Sequence, residues 1–457
     1  MKKSFWRNIS LYTLLLVAVS VSCKKSDTDP RVSNSEINKW VLDSMRVYYY
    51  WNDELPSQPN FNQDPESFFA SIISKHDRFS WIQPKEELIK NLNGIYKTSG
   101  IDFYLEQDRL NPNNVNGLVK YVVPGSPANN LKIKRGQKFI KINGTRITLS
   151  NYKTAITALF ENNPFVLTLA KTENGNLVDD KDVKLIPVEM QENPLPLDTV
   201  YNTPNGTKVG YLYYSQFIKE HNEALLQTFQ KFKSAGISQL VLDLRYNPGG
   251  SVSSAALITA LIQKGFLEEN IFVQFQGNKN MGKTNYRYSD IFNSSSFPAI
   301  KSANLNLPTV YILATDYSAS ASELVINNLR PFINVVHIGK VTVGKNQASS
   351  TIYDQRKPER ISWAIQPIMF KLANKDGFGD YESGLSPQYI INELDQSLYP
   401  LGDIHDPLLA KALNLIDGST VASTKGVEST KGLKYVESIQ LEKKVIPIII
   451  DDQNKGL

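Results

Sequence analysis

Serines are concentrated in the segment that joins a predicted strand at residues 309–314 to a predicted helix at residues 320–329. The segment reads Asp316-Tyr317-Ser318-Ala319-Ser320-Ala321-Ser322-Glu323. A serine at a helix start lies beside unpaired backbone amides and the positive end of the helix dipole, which can stabilise a developing oxyanion. Serine is also a favoured N-cap, and Ser320 with Glu323 fits a capping box. On this segment alone, the capping role is the better interpretation.

A lysine expected at the same edge of the sheet favours a catalytic role for Ser320 over a capping role. Gly344-Lys345 follows Ser320 after one predicted helix and one predicted strand. To act as a general base the amine must be neutral, so desolvation has to lower its pKa from about 10.4 to roughly 7 or 8. Such a shift costs on the order of 4 kcal/mol, because each pKa unit is about 1.4 kcal/mol. A lysine at this edge could reach the serine, and only a dry, enclosed pocket could impose the shift that a lysine base requires.

Adjacent glycines follow another buried strand, at residues 239–244. The segment reads Asp243-Leu244-Arg245-Tyr246-Asn247-Pro248-Gly249-Gly250. Glycines at a strand end leave backbone amides uncovered and permit close approach of another chain. They suit an oxyanion hole, and Asp243 with Arg245 is expected to hold the glycine loop in place.

Other chemistries and partners find no support in the sequence. A Gly-x-Ser-x-Gly elbow is absent, and the four histidines do not form metal-ligand spacings. His337 lies in a predicted strand and is expected to be a packed or surface residue. The net charge of +5 includes the three cations of the first 22 residues, and no long basic stripe occurs, so nucleic acid is not an expected partner. No metal or other cofactor is expected.

The second half of the chain predicts an α/β domain over residues 205–417. Strands at residues 209–214, 239–244, 309–314 and 335–338 alternate with helices at 222–235, 254–262 and 320–329. Repeated strand-helix-strand units indicate a largely parallel sheet covered by helices. Residues 265–307, rich in Asn, Ser and Gly, are interpreted as an insertion that forms a lid.

The middle of the chain, residues 96–175, predicts short strands and turns and resembles a PDZ domain. The resemblance rests on residues 123–128 (Val-Pro-Gly-Ser-Pro-Ala) and 135–144, with Gln137 where aspartate is usual. Such domains bind an extended peptide as an added strand. By position, the peptide cradle is expected at Gly100, Ile101, Asp102 and Phe103; a plain edge strand without a ligand is the equal alternative.

The two ends of the chain carry different signals. Residues 1–22 combine a basic start with a short apolar run, typical of a secretory signal peptide rather than a membrane span. Cys23, the single cysteine, follows directly and resembles the acylated cysteine of bacterial lipoproteins, with residues 23–35 as a tether and 36–93 as a helical domain. The tail, residues 418–457, contains Val445-Ile446-Pro447-Ile448-Ile449-Ile450, which predicts one added strand.

Taken together, these motifs resemble the C-terminal processing peptidases, also called tail-specific proteases, over roughly residues 36–415. That family uses a serine-lysine dyad and carries a PDZ domain before its catalytic domain. The resemblance implies Ser320 as nucleophile, Lys345 as base, and an oxyanion hole from the amides of Ala321 and of Gly249 or Gly250.

One position departs from that family's pattern. Many relatives have a glutamine four residues after the lysine, where this chain has Ser349. The group that orients Lys345 is therefore open between three candidates: Asn346, Gln347 and Ser349.

For the whole chain, the resemblance implies an α/β catalytic domain of the crotonase-like class. It further implies a lipid-anchored endopeptidase of the bacterial cell envelope that cuts unfolded or C-terminally tagged polypeptides. A non-catalytic peptide-binding lipoprotein with the same fold is the alternative, since fold alone does not establish activity.

Overall fold

The computed structural model describes residues 32–418 and 448–449. The predicted signal peptide, Cys23, most of the tether and the rest of the tail lie outside the described residues. Within the described part of the chain, no helix combines the length and apolar character needed to cross a membrane.

The first unit is helical, as predicted, but it also contributes a strand. Its elements are α1 (Asn34–Tyr48), a 3-10 turn (Asn52–Glu54), α2 (Pro65–Ile72), β1 (Trp81–Pro84) and α3 (Lys85–Leu92). Along α1, Ile37, Val41 and Met45 recur every four residues and bury one face against α2. The strand β1 pairs antiparallel with a segment near residue 365, far along the chain, which local periodicity could not reveal.

The middle unit is an antiparallel sheet. Its elements are β2 (Ile95–Thr98), β3 (Ile101–Gln107), β4 (Val115–Val122), α4 (Pro127–Asn130), β5 (Lys138–Ile142), β6 (Thr145–Arg146), α5 (Tyr152–Thr157), β7 (Phe165–Glu173), β8 (Asn176–Leu185) and β9 (Val188–Gln191). The main sheet has the order β3-β4-β5-β7-β8, so it continues beyond the predicted end of this unit at residue 175. In this sheet β3 is an edge strand.

The third unit carries the longest run of elements. They are β10 (Leu197–Asn202), β11 (Lys208–Tyr213), α6 (Asn222–Ala235), β12 (Gln239–Asp243), α7 (Val252–Ile262), β13 (Ile271–Gln276), β14 (Lys283–Arg287), α8 (Tyr288–Ile291), α9 (Phe297–Ala303), β15 (Thr309–Ala314), α10 (Ala321–Leu329), β16 (Asn334–Gly339), β17 (Gln347–Ser349), β18 (Ile352–Tyr353), β19 (Trp363–Gln366), β20 (Ile368–Ala373), β21 (Tyr389–Ile390), α11 (Pro407–Asp417) and β22 (Ile448–Ile449).

The central sheet confirms the predicted α/β class. Its order is β10-β11-β12-β15-β16-β21, with β10 antiparallel and the other described neighbours parallel. Side chains alternate between faces, so Leu240 and Leu242 pack in the helical core while Val241 packs toward α11 and the middle unit. Helix α7 is buried on every side, which explains its apolar composition.

This topology brings the three predicted site segments together. The glycine loop follows β12, Ser320 follows β15, and Lys345 follows β16. These three strands are adjacent and parallel, so their carboxyl ends lie at the same edge of the sheet. That edge is where a ligand crevice is expected in an open α/β sheet.

A second sheet has the order β14-β13-β20-β17-β22 among the described residues. Strand β22 comes from the apolar stretch of the tail and pairs parallel with β17. A third, smaller sheet joins β1 to β19 and β18 and so ties the first unit to the third.

The insertion at residues 265–307 differs from the predicted lid. Phe266, Tyr288 and Phe297 are buried in the main core, together with α9. Its polar composition led to the expectation of a lid, but its aromatic residues pack in the same core as α6 and α7, so it is a structural part of the domain.

Candidate active site

Of the serines around the start of α10, Ser320 differs from its neighbours. The Ser318 hydroxyl donates to the Leu244 carbonyl at 2.7 Å, and the Ser322 hydroxyl donates to the Asn247 carbonyl at 2.9 Å. The Ser320 hydroxyl is fully buried and has no hydrogen-bond partner among the described residues. Two serines therefore brace the glycine loop, and the third is left available for chemistry.

The backbone of Ser320 is strained. Its φ of 62° and ψ of −115° are unusual for a residue with a side chain. Such a conformation costs on the order of 1–3 kcal/mol and persists only where the surroundings enforce it. Here the Ser320 amide donates to the Glu323 carboxylate at 2.8 Å, and the Ser320 carbonyl accepts from Leu324. The predicted capping partnership is thus present, but through the backbone amide of Ser320.

Lys345 lies in a closed pocket. The residue is fully buried, and its ammonium nitrogen lies 4.6 Å from the centroid of the Phe79 ring. Burial lowers the pKa of Lys345 to about 7, Arg78 adds to the decrease, and the negative charges of Asp77 and Glu323 oppose it. This value lies in the range that a lysine base requires near neutral pH.

Glu323 connects the two residues. Its Oε2 accepts from the backbone amides of Ser320 and Lys345, each at 2.8 Å. Its Oε1 accepts from the Gly344 amide at 2.7 Å and from the Thr342 hydroxyl at 2.5 Å. Burial raises the pKa of Glu323, and these hydrogen bonds act in the opposite direction. The sequence analysis gave Glu323 only a capping role, although the Ser-x-x-Glu spacing was the available signal.

The side chains of Ser320 and Lys345 are not hydrogen-bonded in this state, since the Ser320 hydroxyl has no partner among the described residues. Their backbone nitrogens nevertheless lie within two hydrogen-bond lengths of each other, because both bind one carboxylate oxygen. The lysine amine instead lies near Phe79, a cation–π position.

The glycine loop packs directly against the serine. A Cβ atom added to Gly249 would lie 2.5 Å from Ser320 Cβ and 2.8 Å from its Oγ, and one added to Gly250 would lie 2.1 Å from the Phe217 carbonyl oxygen. Both glycines have positive φ, 111° and 135°. The Gly249 amide already donates to Asn247 Oδ1 at 2.9 Å. The amide of Ala321 occupies the first position of α10, where a helix offers no acceptor.

A buried charge network holds the glycine loop. Arg245 is fully buried and pairs with Asp406 at 2.7 Å, with Asp243 at 2.8 Å and with Glu393 at 3.1 Å. Burial would raise the pKa of Glu393, but the charges of Arg135 and Arg245 lower it to about 2. The expectation that Asp243 and Arg245 pin this loop agrees with these contacts.

The candidates for orienting Lys345 lie at the start of the second sheet. The Ser349 hydroxyl accepts from Gln366 Nε2 at 3.1 Å, and the Asn346 side chain donates to the Gly379 carbonyl at 2.5 Å. Gln347 is partly buried in β17. Gln366, on β19, is a buried amide in this region that the sequence analysis did not identify.

The predicted peptide cradle lies at the start of β3. The Gly100 amide donates to the Thr98 hydroxyl at 2.9 Å. Ile101 begins the strand, and Phe103 is buried, with its ring centroid 5.1 Å from that of Phe139. The Phe103 side chain is therefore part of the core, and only its backbone lies on the edge strand.

Lys120 links that edge strand to the active-site loops. Its ammonium nitrogen lies 2.8 Å from Asp102 Oδ2 and 3.8 Å from the centroid of the Tyr317 ring. The rings of Tyr246 and Tyr104 lie at 5.1 and 5.3 Å. A lysine of the middle unit thus sits among tyrosines that belong to the glycine loop and to the segment before Ser320. Nothing in the local sequence signalled this contact.

Two segments match known domain families. Residues 208–386 match peptidase family S41, and residues 36–81 match the peptidase S41 N-terminal domain. The carboxy-terminal processing protease CtpA of Bacillus subtilis (strain 168) is 25% identical over 274 residues, covering 59% of this chain and 52% of that protein. CtpB of the same organism is 22% identical over 334 residues, covering 72% and 64%. The chain thus spans between half and two thirds of the length of these curated relatives.

Solved structures show the same architecture. A chain from Bacteroides fragilis NCTC 9343, assigned as an S41 protease, superposes with a TM-score of 0.68 and 28% identity, covering 83% of this chain and 97% of that one. The photosystem II D1 C-terminal processing protease superposes with a TM-score of 0.51 and 15% identity, covering 85% and 99%. The second likeness is one of fold alone.

Proposed function

We propose that this chain, which carries an S41 domain and is a serine-type peptidase, cleaves unfolded or C-terminally tagged polypeptides with a serine-lysine dyad. Ser320 is the nucleophile and Lys345 the general base. The same proposal assigns the catalytic domain to the crotonase-like class and the middle unit to the PDZ class.

The reaction begins with proton transfer from Ser320 to Lys345. With a pKa of about 7, a large fraction of the amine is neutral at neutral pH. The neutral amine accepts the proton of the Ser320 hydroxyl, and the serine oxygen attacks the scissile carbonyl. The protonated amine then returns the proton to the leaving amine as the peptide bond breaks, and water releases the acyl group by the reverse sequence.

The developing oxyanion is held by backbone amides. Ala321 supplies one donor from the start of α10, where the helix dipole adds a favourable field. Gly250 is the better second donor, because the Gly249 amide is already bound to Asn247. Removing one donor from such a site typically costs about 3–4 kcal/mol of transition-state stabilisation.

One observation carries the proposal. A buried serine hydroxyl without a partner among the described residues sits on a strained helix start, and one carboxylate ties its backbone to that of a buried lysine with a pKa near 7. A purely structural N-cap would use the serine side chain and would not need a buried lysine beside it.

Substrate recruitment and location complete the proposal. The free edge of β3, at Gly100, Ile101, Asp102 and Phe103, would bind an extended or C-terminal peptide as an added strand. Acylation at Cys23 would anchor the chain to a membrane of the bacterial cell envelope, as the sequence before that cysteine suggests. Replacing Cys23 by serine would then release the protein from the membrane fraction.

The direct test is hydrolysis of an unfolded protein by the full chain. Ser320→Ala and Lys345→Ala are each expected to lose at least about 10³-fold in kcat/KM, as for removal of a nucleophile or its base. Lys340→Ala is the matched control, because Lys340 lies on the same segment but pairs with Asp316 near the surface. Circular dichroism verifies that each variant is folded. Full activity in either active-site variant would refute the assignment, and an inert wild-type chain would favour the non-catalytic peptide-binding alternative.

A further inference from the structure

The edge of β17 lies beside the proposed base. This strand begins two residues after Lys345, and its antiparallel neighbour β20 covers one side. The other side pairs parallel with β22, where Ala348 faces Ile448 and Ser349 faces Ile449 in the register. Ile448 and Ile449 of the tail thus form an added strand beside β17, near the proposed base.

We propose that this edge of β17 is a binding subsite for an extended, β-branched apolar peptide, and that the chain's own residues 445–450 compete for it. The inference rests on the proposed peptidase function and names the kind of substrate segment that the site takes. The tail is then an internal ligand that a substrate must displace.

The position of the edge supports this role. Ala348 is three residues beyond Lys345, on the order of 10 Å along an extended strand. The edge of β17 that β22 occupies is the one that a substrate strand could take, because the opposite edge is bound to β20. Backbone hydrogen bonds to a sheet edge accept many sequences, as a processing protease requires.

Burial makes an empty edge unfavourable. Both Ala348 and Ser349 are fully buried. That burial is present with β22 in place, and loss of this strand would leave backbone amides and carbonyls of the edge without a strand partner, which favours replacement of the tail strand by another strand. A tail strand in the resting state and a substrate strand during cleavage provide this partner in turn.

The tail sequence suits such an exchange. Val445-Ile446-Pro447-Ile448-Ile449-Ile450 consists of β-branched residues with one proline, and β-branched residues favour strands. Tethering gives such a segment an effective concentration on the order of millimolar. An apolar, β-branched substrate segment held near this edge at a similar effective concentration would therefore compete with the tail. A charged segment would not compete.

Binding tests the inference without requiring catalysis. In the full-length Ser320→Ala background, Ile448→Asp with Ile449→Asp is compared with Gln453→Asp with Asn454→Asp, which adds the same charge outside the pairing residues. The probe is a fluorescently labelled synthetic peptide Val-Ile-Pro-Ile-Ile-Ile, followed by fluorescence polarisation. If the tail covers the edge nine-tenths of the time, its release tightens the apparent Kd about tenfold. Equal Kd values in the two variants would overturn the proposal.

Catalysis provides the second readout. With Ser320 intact, the Ile448→Asp/Ile449→Asp chain should show a KM lowered about tenfold for an unfolded protein. In that variant the tail no longer competes with the substrate for the edge of β17. The Gln453→Asp/Asn454→Asp control should match the wild type, and an unchanged KM in the first variant would contradict the inference. Tighter peptide binding without any Ser320-dependent hydrolysis would support the subsite and refute the peptidase function, so the two failures are distinguishable.

Discussion

Among single residues, Lys345 is decisive, because the proposed mechanism requires its amine to be neutral. A lysine is a poor base until it is desolvated, and this one is enclosed by protein with a phenylalanine ring against its amine. Asp77 and Glu323 keep the pKa from falling further. The pocket thus places the amine near the pKa at which a base combines availability with strength.

The pH dependence of activity follows from this pKa. Because the neutral amine is the reactive form, kcat/KM should rise with pH through a midpoint of about 7 and level off above it. The measurement is the initial rate on an unfolded protein between pH 5.5 and 9. Lys345→Arg should be inactive throughout, since a guanidinium is not deprotonated in this range. A rate that is constant from pH 6 to 9 would show that another group is the base.

At the scale of elements, Glu323 fastens α10 to the segment after β16. One carboxylate accepts four hydrogen bonds, three from backbone amides and one from the Thr342 hydroxyl. It therefore fixes the strained backbone of Ser320 and the start of the lysine side chain at the same time. It touches neither the hydroxyl nor the amine in a described hydrogen bond, so it is a positioning residue.

Glu323→Gln tests this role. The neutral amide has nearly the same shape but replaces one acceptor oxygen by a donor, so at least one of the four bonds is lost. We expect kcat to fall by about 10²-fold with little change in KM, and the free energy of unfolding to fall by about 1–3 kcal/mol. Glu189→Gln, at an exposed carboxylate paired with Lys90, is the control. If Glu323→Gln were less stable but its folded fraction kept the normal kcat, Glu323 would stabilise the fold without positioning the catalytic groups.

The elements were largely predictable from sequence, whereas their distant contacts were not. Short apolar runs located β11, β12, β15 and β16, and the apolar spacing of α6 located that helix, because these signals are local. The roles expected for Ser320 and Lys345 came from the resemblance of their segments to the C-terminal processing peptidases. The β1–β19 pair and the Lys120 contact with Tyr317 join residues far apart in sequence, so no local pattern encodes them. The insertion at residues 265–307 was misjudged because its content of Asn, Ser and Gly was weighed above its aromatic residues, which pack in the core.

At the scale of the whole molecule, all three units contribute to the site. The third unit supplies the serine, the lysine and the glycine loop. The middle unit places Lys120 among tyrosines next to that loop, and Arg135 donates to the Tyr246 hydroxyl at 2.6 Å. The first unit covers the lysine pocket with Phe79, while Arg78 donates to the Gly344 carbonyl at 3.3 Å. The pKa of Lys345, the proposed base, is therefore a property of the assembled chain.

Removing the Phe79 ring, which covers the lysine pocket, should shift the pH dependence of kcat/KM. Phe79→Ala admits water to the amine and reduces its desolvation, so the pKa of Lys345 should rise toward its ordinary value, by about 1 unit. The midpoint of kcat/KM against pH shifts upward accordingly. Phe61→Ala removes an aromatic ring from the same unit, where Phe61 stacks on Phe68 away from the lysine, and should leave the midpoint in place. An unchanged midpoint in Phe79→Ala would mean that the first unit does not control the base.

Covalent labelling directly measures whether Lys345 activates the Ser320 hydroxyl. The full chain is treated with a fluorophosphonate, and the modified residue and its labelling rate are determined by mass spectrometry across pH. We expect a single adduct on Ser320, formed at a rate that rises with pH through about 7. In Lys345→Met the labelling rate should fall by at least about 10²-fold. An adduct on another residue, or equal labelling of Ser320 when Lys345 is replaced, would contradict the activation of Ser320 by Lys345.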